Sequence, residues 1–181
     1  MSGGKRYESS PAGLVGAMIV TLAVVIGFVA FRGLNRDNPA YRPEAHDYLK
    51  SAGAYAENRD LAYPSRLPDG WIATQDGKVD ATGAWVLDLL TDQQRYVGLR
   101  EAVLEPRLMV ATYADTKSGL ETDATLTGPV TIEGPVRNWQ LWQVPGGDDI
   151  LIGEAGEEHV MLFGSPGLDR LKELARLLVV R

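Results

Sequence analysis

Few residues in this 181-residue chain are of types that do chemistry near neutral pH, and their spacing decides what each could do. Two are histidines, His46 and His159. A metal centre or a general base would need partners converging on them from several elements. His46 has Lys50 one turn on rather than a carboxylate, which suits the solvated face of a helix. His159 stands beside Glu157 and Glu158 at the start of an expected strand. Neighbours on a strand point to opposite faces, so only part of that trio could converge. The acidic run from Asp148 to Glu158 holds five carboxylates and no base. It lacks the spaced ligands of a calcium loop and reads as two charged hairpin ends. Asp76 to Asp80 (DGKVD) fails as an EF-hand because Lys78 stands at a ligand position.

Ser165 lies in Gly164-Ser165-Pro166-Gly167, but the Gly-x-Ser-x-Gly spacing of a nucleophile turn is absent, and Pro166 makes helix capping the better explanation. Cysteine is missing altogether, which removes disulfides, thiolate nucleophiles, a lipidated cysteine anchor and thiolate metal sites. Neither usual phosphate-cradling loop occurs. No residue is therefore assigned a catalytic, cofactor-binding or metal-ligating role, and no cofactor is expected. The four tryptophans, Trp71, Trp85, Trp139 and Trp142, are expected on strands, with Trp139 and Trp142 facing opposite sides because they are three apart. Core packing is their default role; a ligand or partner patch is the sharper alternative.

The elements that would position these residues follow from periodicity. From Pro43, the residues Ala45, Tyr48, Leu49, Ala52, Tyr55 and Ala56 recur on the 3.6-residue period of an amphipathic helix. Asp69-Gly70 supplies a turn before a strand over 71–75. Trp85 to Leu90 and Tyr96 to Val103, joined by the polar turn Thr91 to Gln94, form an expected hairpin. Pro106 opens a helix through about Asp115, followed by a polar loop from Thr116 to Thr127. The Gly-Pro-Val triplets at Gly128 and Gly134 read as punctuation at strand edges. Strands are expected at 138–144, 149–154 and 158–163. A last helix is capped by Ser165, with Leu168, Leu171, Leu174, Ala175 and Leu178 on one face, and with Asp169–Lys172 and Glu173–Arg176 as solvated pairs. Strands and helices without strict alternation predict an α+β domain over 43–181, a mainly antiparallel sheet covered by two or three helices.

Ahead of that domain, residues 12–31 (AGLVGAMIVTLAVVIGFVAF) carry no charge, Asn, Gln or Pro. A helix needs about 20 apolar residues to cross the hydrocarbon layer, so a transmembrane helix is expected between a short tail at 1–11 and a tether at 32–42. The apolar run exceeds the about 7–15 residues of a removable signal, and Phe28 spoils a small-x-small site ending at Ala30, which favours a retained signal anchor. Gly13, Ala17 and Thr21 recur every four residues, a spacing that would allow weak self-association through the span. Residues 1–42 carry a formal charge of +3 and residues 43–181 a charge of −9. The acidic domain should repel phosphate backbones and anionic headgroups, so nucleic acid is not an expected partner.

Lys5-Arg6-Tyr7-Glu8-Ser9 leading into the apolar run, Asn35-Arg36-Asp37-Asn38-Pro39, the Tyr63-Pro64 to Gly70-Trp71 segment and Tyr96-Val97-Gly98-Leu99 carry a likeness. So do Trp139 to Trp142 and Phe163-Gly164-Ser165. Together they resemble domain of unknown function 4245, a family of actinobacterial single-span membrane proteins. The resemblance implies a cell-envelope protein and brings no catalytic residue with it. Lys5 and Arg6 precede the apolar run and Arg32, Arg36 and Arg42 follow it, so the basic count alone leans slightly toward a cytoplasmic C-terminal domain. The short tail with its free amino group, taken with the resemblance, points to a cytoplasmic N-terminus and an extracytoplasmic domain. The expected role is a membrane-anchored, non-enzymatic domain that binds a partner protein or supports assembly. The alternative is a domain binding a small ligand or cell-wall fragment in an apolar pocket lined by Trp85 or Trp139.

Overall fold

The computed structural model describes residues 11–34, 43–114 and 123–181, and the chain divides into two units after Arg42. Among its described residues the first contains one helix, α1 (Pro11–Leu34). Its described side chains, from Val15 to Phe28, are exposed. Among the described residues, no helix is long and apolar enough to cross a membrane. Lys5, Arg6, most of the tether and the side chains of Gly13 and Ala17 lie outside the described residues, as does most of the loop that begins at Thr116.

The second unit is an α+β domain built on an antiparallel sheet of eight strands. Its strands are β2 (Ile72–Ala73), β3 (Lys78–Val79), β4 (Trp85–Leu90), β5 (Tyr96–Ala102), β6 (Thr125–Pro129), β7 (Arg137–Gln143), β8 (Asp149–Ala155) and β9 (Glu158–Gly164). The spatial order is β2-β4-β5-β9-β8-β7-β6, with β3 also paired to β4. The expected hairpin is present, with Trp85 opposite Glu101 and Leu90 opposite Tyr96. A separate two-stranded ribbon joins β1 (Ala62–Pro64) to β10 (Leu178–Val180). Among the described residues three helices complete the domain: α2 (Tyr48–Ala56), α3 (Pro106–Tyr113) and α4 (Leu168–Ala175).

The sheet is buried on both faces, which is why β4 and β5 read as nearly continuous apolar runs. Trp85, Leu87, Leu99 and Leu162 belong to one core, with Ala52 of α2, Leu171 and Leu174 of α4, and Ala62 and Leu178 of the ribbon. Val86, Ile150, Ile152, Met161 and Phe163 form the other, with Met109 and Val110 of α3. Trp139 joins the first core and Trp142 the second, on opposite faces as their spacing requires, and both are buried.

Six expectations are corrected. The first domain helix begins at Tyr48, not Pro43, because the His46 amide donates to the Ala73 carbonyl at 3.0 Å and holds the preceding residues extended beside the sheet. Trp71 precedes β2 rather than lying on it, held by a turn in which its amide donates to Pro68 O, with the Arg170 guanidinium 5.3 Å over its ring. Residues 125–127, read as loop, belong to β6, in which Thr125 and Leu126 pair with β7. Ser165 does not cap α4: its amide donates to Tyr96 O, and Gly167, at φ +88, takes the N-cap position where a side chain would be strained. That helix ends at Ala175, since Leu178 to Val180 find strand partners in β1. The ion pair on its surface is Arg170–Glu173, and Arg170 also reaches Asp92.

Candidate functional site

The triplets Gly128-Pro129-Val130 and Gly134-Pro135-Val136 bracket the connection between β6 and β7, and that connection forms one wall of an open groove of about 450 Å³. The opposite wall is the start of β7, where an irregularity between Arg137 and Gln140 interrupts the register with β8. Asn138 takes a positive φ of 51° there, a conformation Asn tolerates better than most residues, and its Nδ2 donates to Glu154 at 2.5 Å. The bulge turns Trp139 inward over Gly153, where an added Cβ would stand 2.7 Å from the indole and from Val136. The indole Nε1 donates to Val136 O at 3.1 Å, so the floor of the groove is locked.

Val130 and Ile132 are half-buried against the first core and give the groove an apolar strip. The backbone of Thr131, Ile132, Glu133 and Gly134 forms no hydrogen bond within the described residues, so four amides and their carbonyls are free for an incoming chain. Arg137 is the charged residue of the lining, and it forms no ion pair among the described residues. Trp139 is only 3% exposed, so it offers an edge rather than a ring face on which a sugar could stack. Pro129, which has no amide hydrogen, and a bulge between Leu126 and Gly128 blunt the neighbouring free edge of β6.

The residues singled out for chemistry are dispersed. His46 is exposed and lies 3.4 Å from Asp76. His159, on β9, stands opposite Ala102 and Glu154. The acidic run splits between the two ends of β8: Asp149 accepts from Gln143 and Glu154 from Asn138, while Glu158, across the following turn, accepts from Arg59 at 2.8 Å. Among the described residues, no three histidine or carboxylate side chains gather as a metal site. Burial pushes the Asp80 carboxyl up, but bonds from the Thr82 hydroxyl, the Thr82 and Ala84 amides and the Tyr113 hydroxyl outweigh it and hold Asp80 below the usual carboxylate range. Asp80 thus anchors a turn to α3. Trp85 is fully buried in the first core and is not among the residues that line the groove.

One titratable group escaped the reading by residue type. Glu101 is 1% exposed, and burial raises its carboxyl to about 8. The signal was present in the sequence: Glu101 shares strand parity with Val97 and Leu99, which face the core. The groove was half visible, through Trp139 and the two triplets. Its free amides were not, because nothing in residue identity marks an unpaired backbone.

Neither the curated proteins nor the solved structures contain a match to this chain. A family model does match, over residues 6–178 and so through both units, and it takes in every element of the groove. The chain belongs to the family described as Protein of unknown function (DUF4245).

Proposed function

We propose that this chain is a single-pass cell-envelope protein of an actinobacterium, anchored by residues 12–31 with its N-terminus in the cytoplasm. Its extracytoplasmic domain binds an extended segment of a partner protein in the β6–β7 groove, without catalysis. The observation that carries the binding role is the pairing of an apolar strip, Val130 and Ile132, with four free backbone amides at Thr131 to Gly134. Apolar side chains of the segment would lie on the strip while its carbonyls accept from the loop. The unpaired Arg137 would favour a carboxylate in that segment. The uncharged run over 12–31 supports the anchor.

The test is a photo-crosslinking residue at Thr131 of the full chain in living cells. A discrete protein adduct is expected, lost on Arg137→Glu and on Ile132→Asp while the domain stays folded. Absence of any adduct, or an adduct indifferent to both substitutions, would refute the groove. For the anchor, protease added to intact spheroplasts should digest the domain, and salt washing should leave the chain in the membrane.

A second reading, a small ligand or cell-wall fragment, draws on the groove's volume, which falls in the range of small-molecule sites, and on the Trp139 lining. Soluble muropeptides that shift the amide resonances of residues 130–134, with no protein adduct at Thr131, would favour it.

A further inference from the structure

A buried acid without a dedicated cation lies beneath the ribbon of β1 and β10. Glu101 occupies an inward position on β5, and its Oε2 accepts the Ala62 amide at 2.8 Å. Ala62 is the residue of β1 that pairs with Val180 of β10. The charged groups facing Glu101 come from two directions: Arg59 and Asp60 from the segment ahead of β1, and Glu158 from β9. Arg59 commits its Nη2 to Glu158 at 2.8 Å and leaves its Nε buried without a partner. Ionising Glu101 would therefore put a third carboxylate beside Glu158 and Asp60, in a place almost closed to water.

We propose that Glu101 is a proton-operated latch: as a neutral acid it holds the β1–β10 ribbon against the sheet, and loss of its proton frees the ribbon. The ribbon is short, and the buried Tyr48 hydroxyl adds a bond to Pro64 O at 2.8 Å. The ribbon itself has three residue pairs, flanked by the reciprocal Leu61–Arg181 bonds and by the Ser65 amide on Leu177 O. The bond from Ala62 and the charge of Arg59 favour the carboxylate, but burial is the largest influence and sets the carboxyl at about 8. Opening returns Glu101 to water and to the ordinary carboxylate range. Proton linkage then makes opening about tenfold easier for each pH unit between about 5 and 8, and no easier above.

The experiment is amide hydrogen exchange on the full chain in detergent micelles from pH 5.5 to 9, corrected for the intrinsic rise of exchange with pH. The Ala62 amide, bonded to Glu101, and the Tyr63 and Val179 amides, which face each other across the ribbon, should be less protected than the central-strand amides of Leu99 and Leu162. Their protection should fall about tenfold per unit up to about pH 8 and then level off. Glu101→Gln, which keeps an acceptor for the Ala62 amide but cannot ionise, should flatten that slope. Ribbon protection equal to that of Leu99 at every pH would mean the ribbon opens only with the whole domain, and would overturn the latch. So would a slope that survives in Glu101→Gln. Should that variant fail to fold, the carboxyl carbon of Glu101 in the parent chain can be titrated by NMR. A midpoint near 8 that coincides with loss of ribbon protection supports the latch, and an ordinary carboxylate midpoint refutes it.

Discussion

Replacing Gly153 by alanine tests the packing that fixes the groove floor. The added Cβ would stand 2.7 Å from Trp139 Cδ2 and from Val136 Cγ1, where ordinary contact begins near 3.4 Å. Both neighbours are buried, so the indole must move by several tenths of an ångström or the strand must bend. Overpacking of this kind costs about 1–3 kcal/mol. Disturbing the bond from Trp139 Nε1 to Val136 O adds about 1 kcal/mol, and the lower backbone entropy of alanine returns about 0.5–1 kcal/mol. The net loss is about 1–3 kcal/mol, equivalent to a fall in Tm of about 4–12 °C for a domain of this size. Thermal unfolding of the full chain in micelles, followed by near-ultraviolet circular dichroism, reads both the Tm and the asymmetry around Trp139. Gly53→Ala is the matched control: that site in α2 has open space around it, and alanine there should stabilise by about 1 kcal/mol. A Gly153→Ala variant as stable as its parent, with unchanged aromatic dichroism, would refute the account of the floor.

Glu101→Gln should also change global stability with pH. The folded carboxyl sits near 8 and the unfolded one near 4.5, so the native state holds the extra proton. The contribution of Glu101 is therefore full below about 4.5 and declines as pH rises to about 8, by on the order of 4–5 kcal/mol at most; urea midpoints of the variant should lack that decline across the window. Arg100→Leu removes an ion pair to Asp88 at 2.8 Å and the guanidinium packed on Phe163. Asp88 keeps bonds from Gln75 and Tyr96, so the loss should be about 1–3 kcal/mol in urea unfolding, and an unchanged midpoint would mean the pair contributes nothing. Ser165→Ala should shift stability by less than about 0.5 kcal/mol, since Ser165 caps nothing; a drop of 1 kcal/mol or more would restore it as a cap.

The central sheet was legible because its strands carry their own signals. Trp85 to Leu90 and Tyr96 to Ala102 combine apolar parity with a polar turn, and β7, β8 and β9 are separated by glycine turns. What failed was decided by distant partners. Leu178 has the right spacing to continue α4, yet its backbone pairs with Pro64, a choice no local window contains. Pro43 is a good helix start, but Ala73 O captures the His46 amide and delays the helix. Ser165 and Pro166 resemble an N-terminus, yet continued pairing with β5 pushes the true start to Gly167. Trp139 was named from the sequence, and it lines the groove while packing in the first core. The groove beside it depends on a bulge in β7 and on idle backbone groups, neither of which residue type reveals.

The ribbon has a consequence for how the protein is made. Ala62 pairs with Val180, and nearly the whole length of the domain separates them in sequence. A nascent chain can assemble the β4–β5 and β8–β9 hairpins early, from neighbours, but it cannot close over its first core until residues 178–180 have been synthesised. Until then Leu61, Ala62 and the acid beneath them stand open to solvent, so a chaperone or protease acting during biogenesis would meet a surface that the closed ribbon buries in the finished molecule.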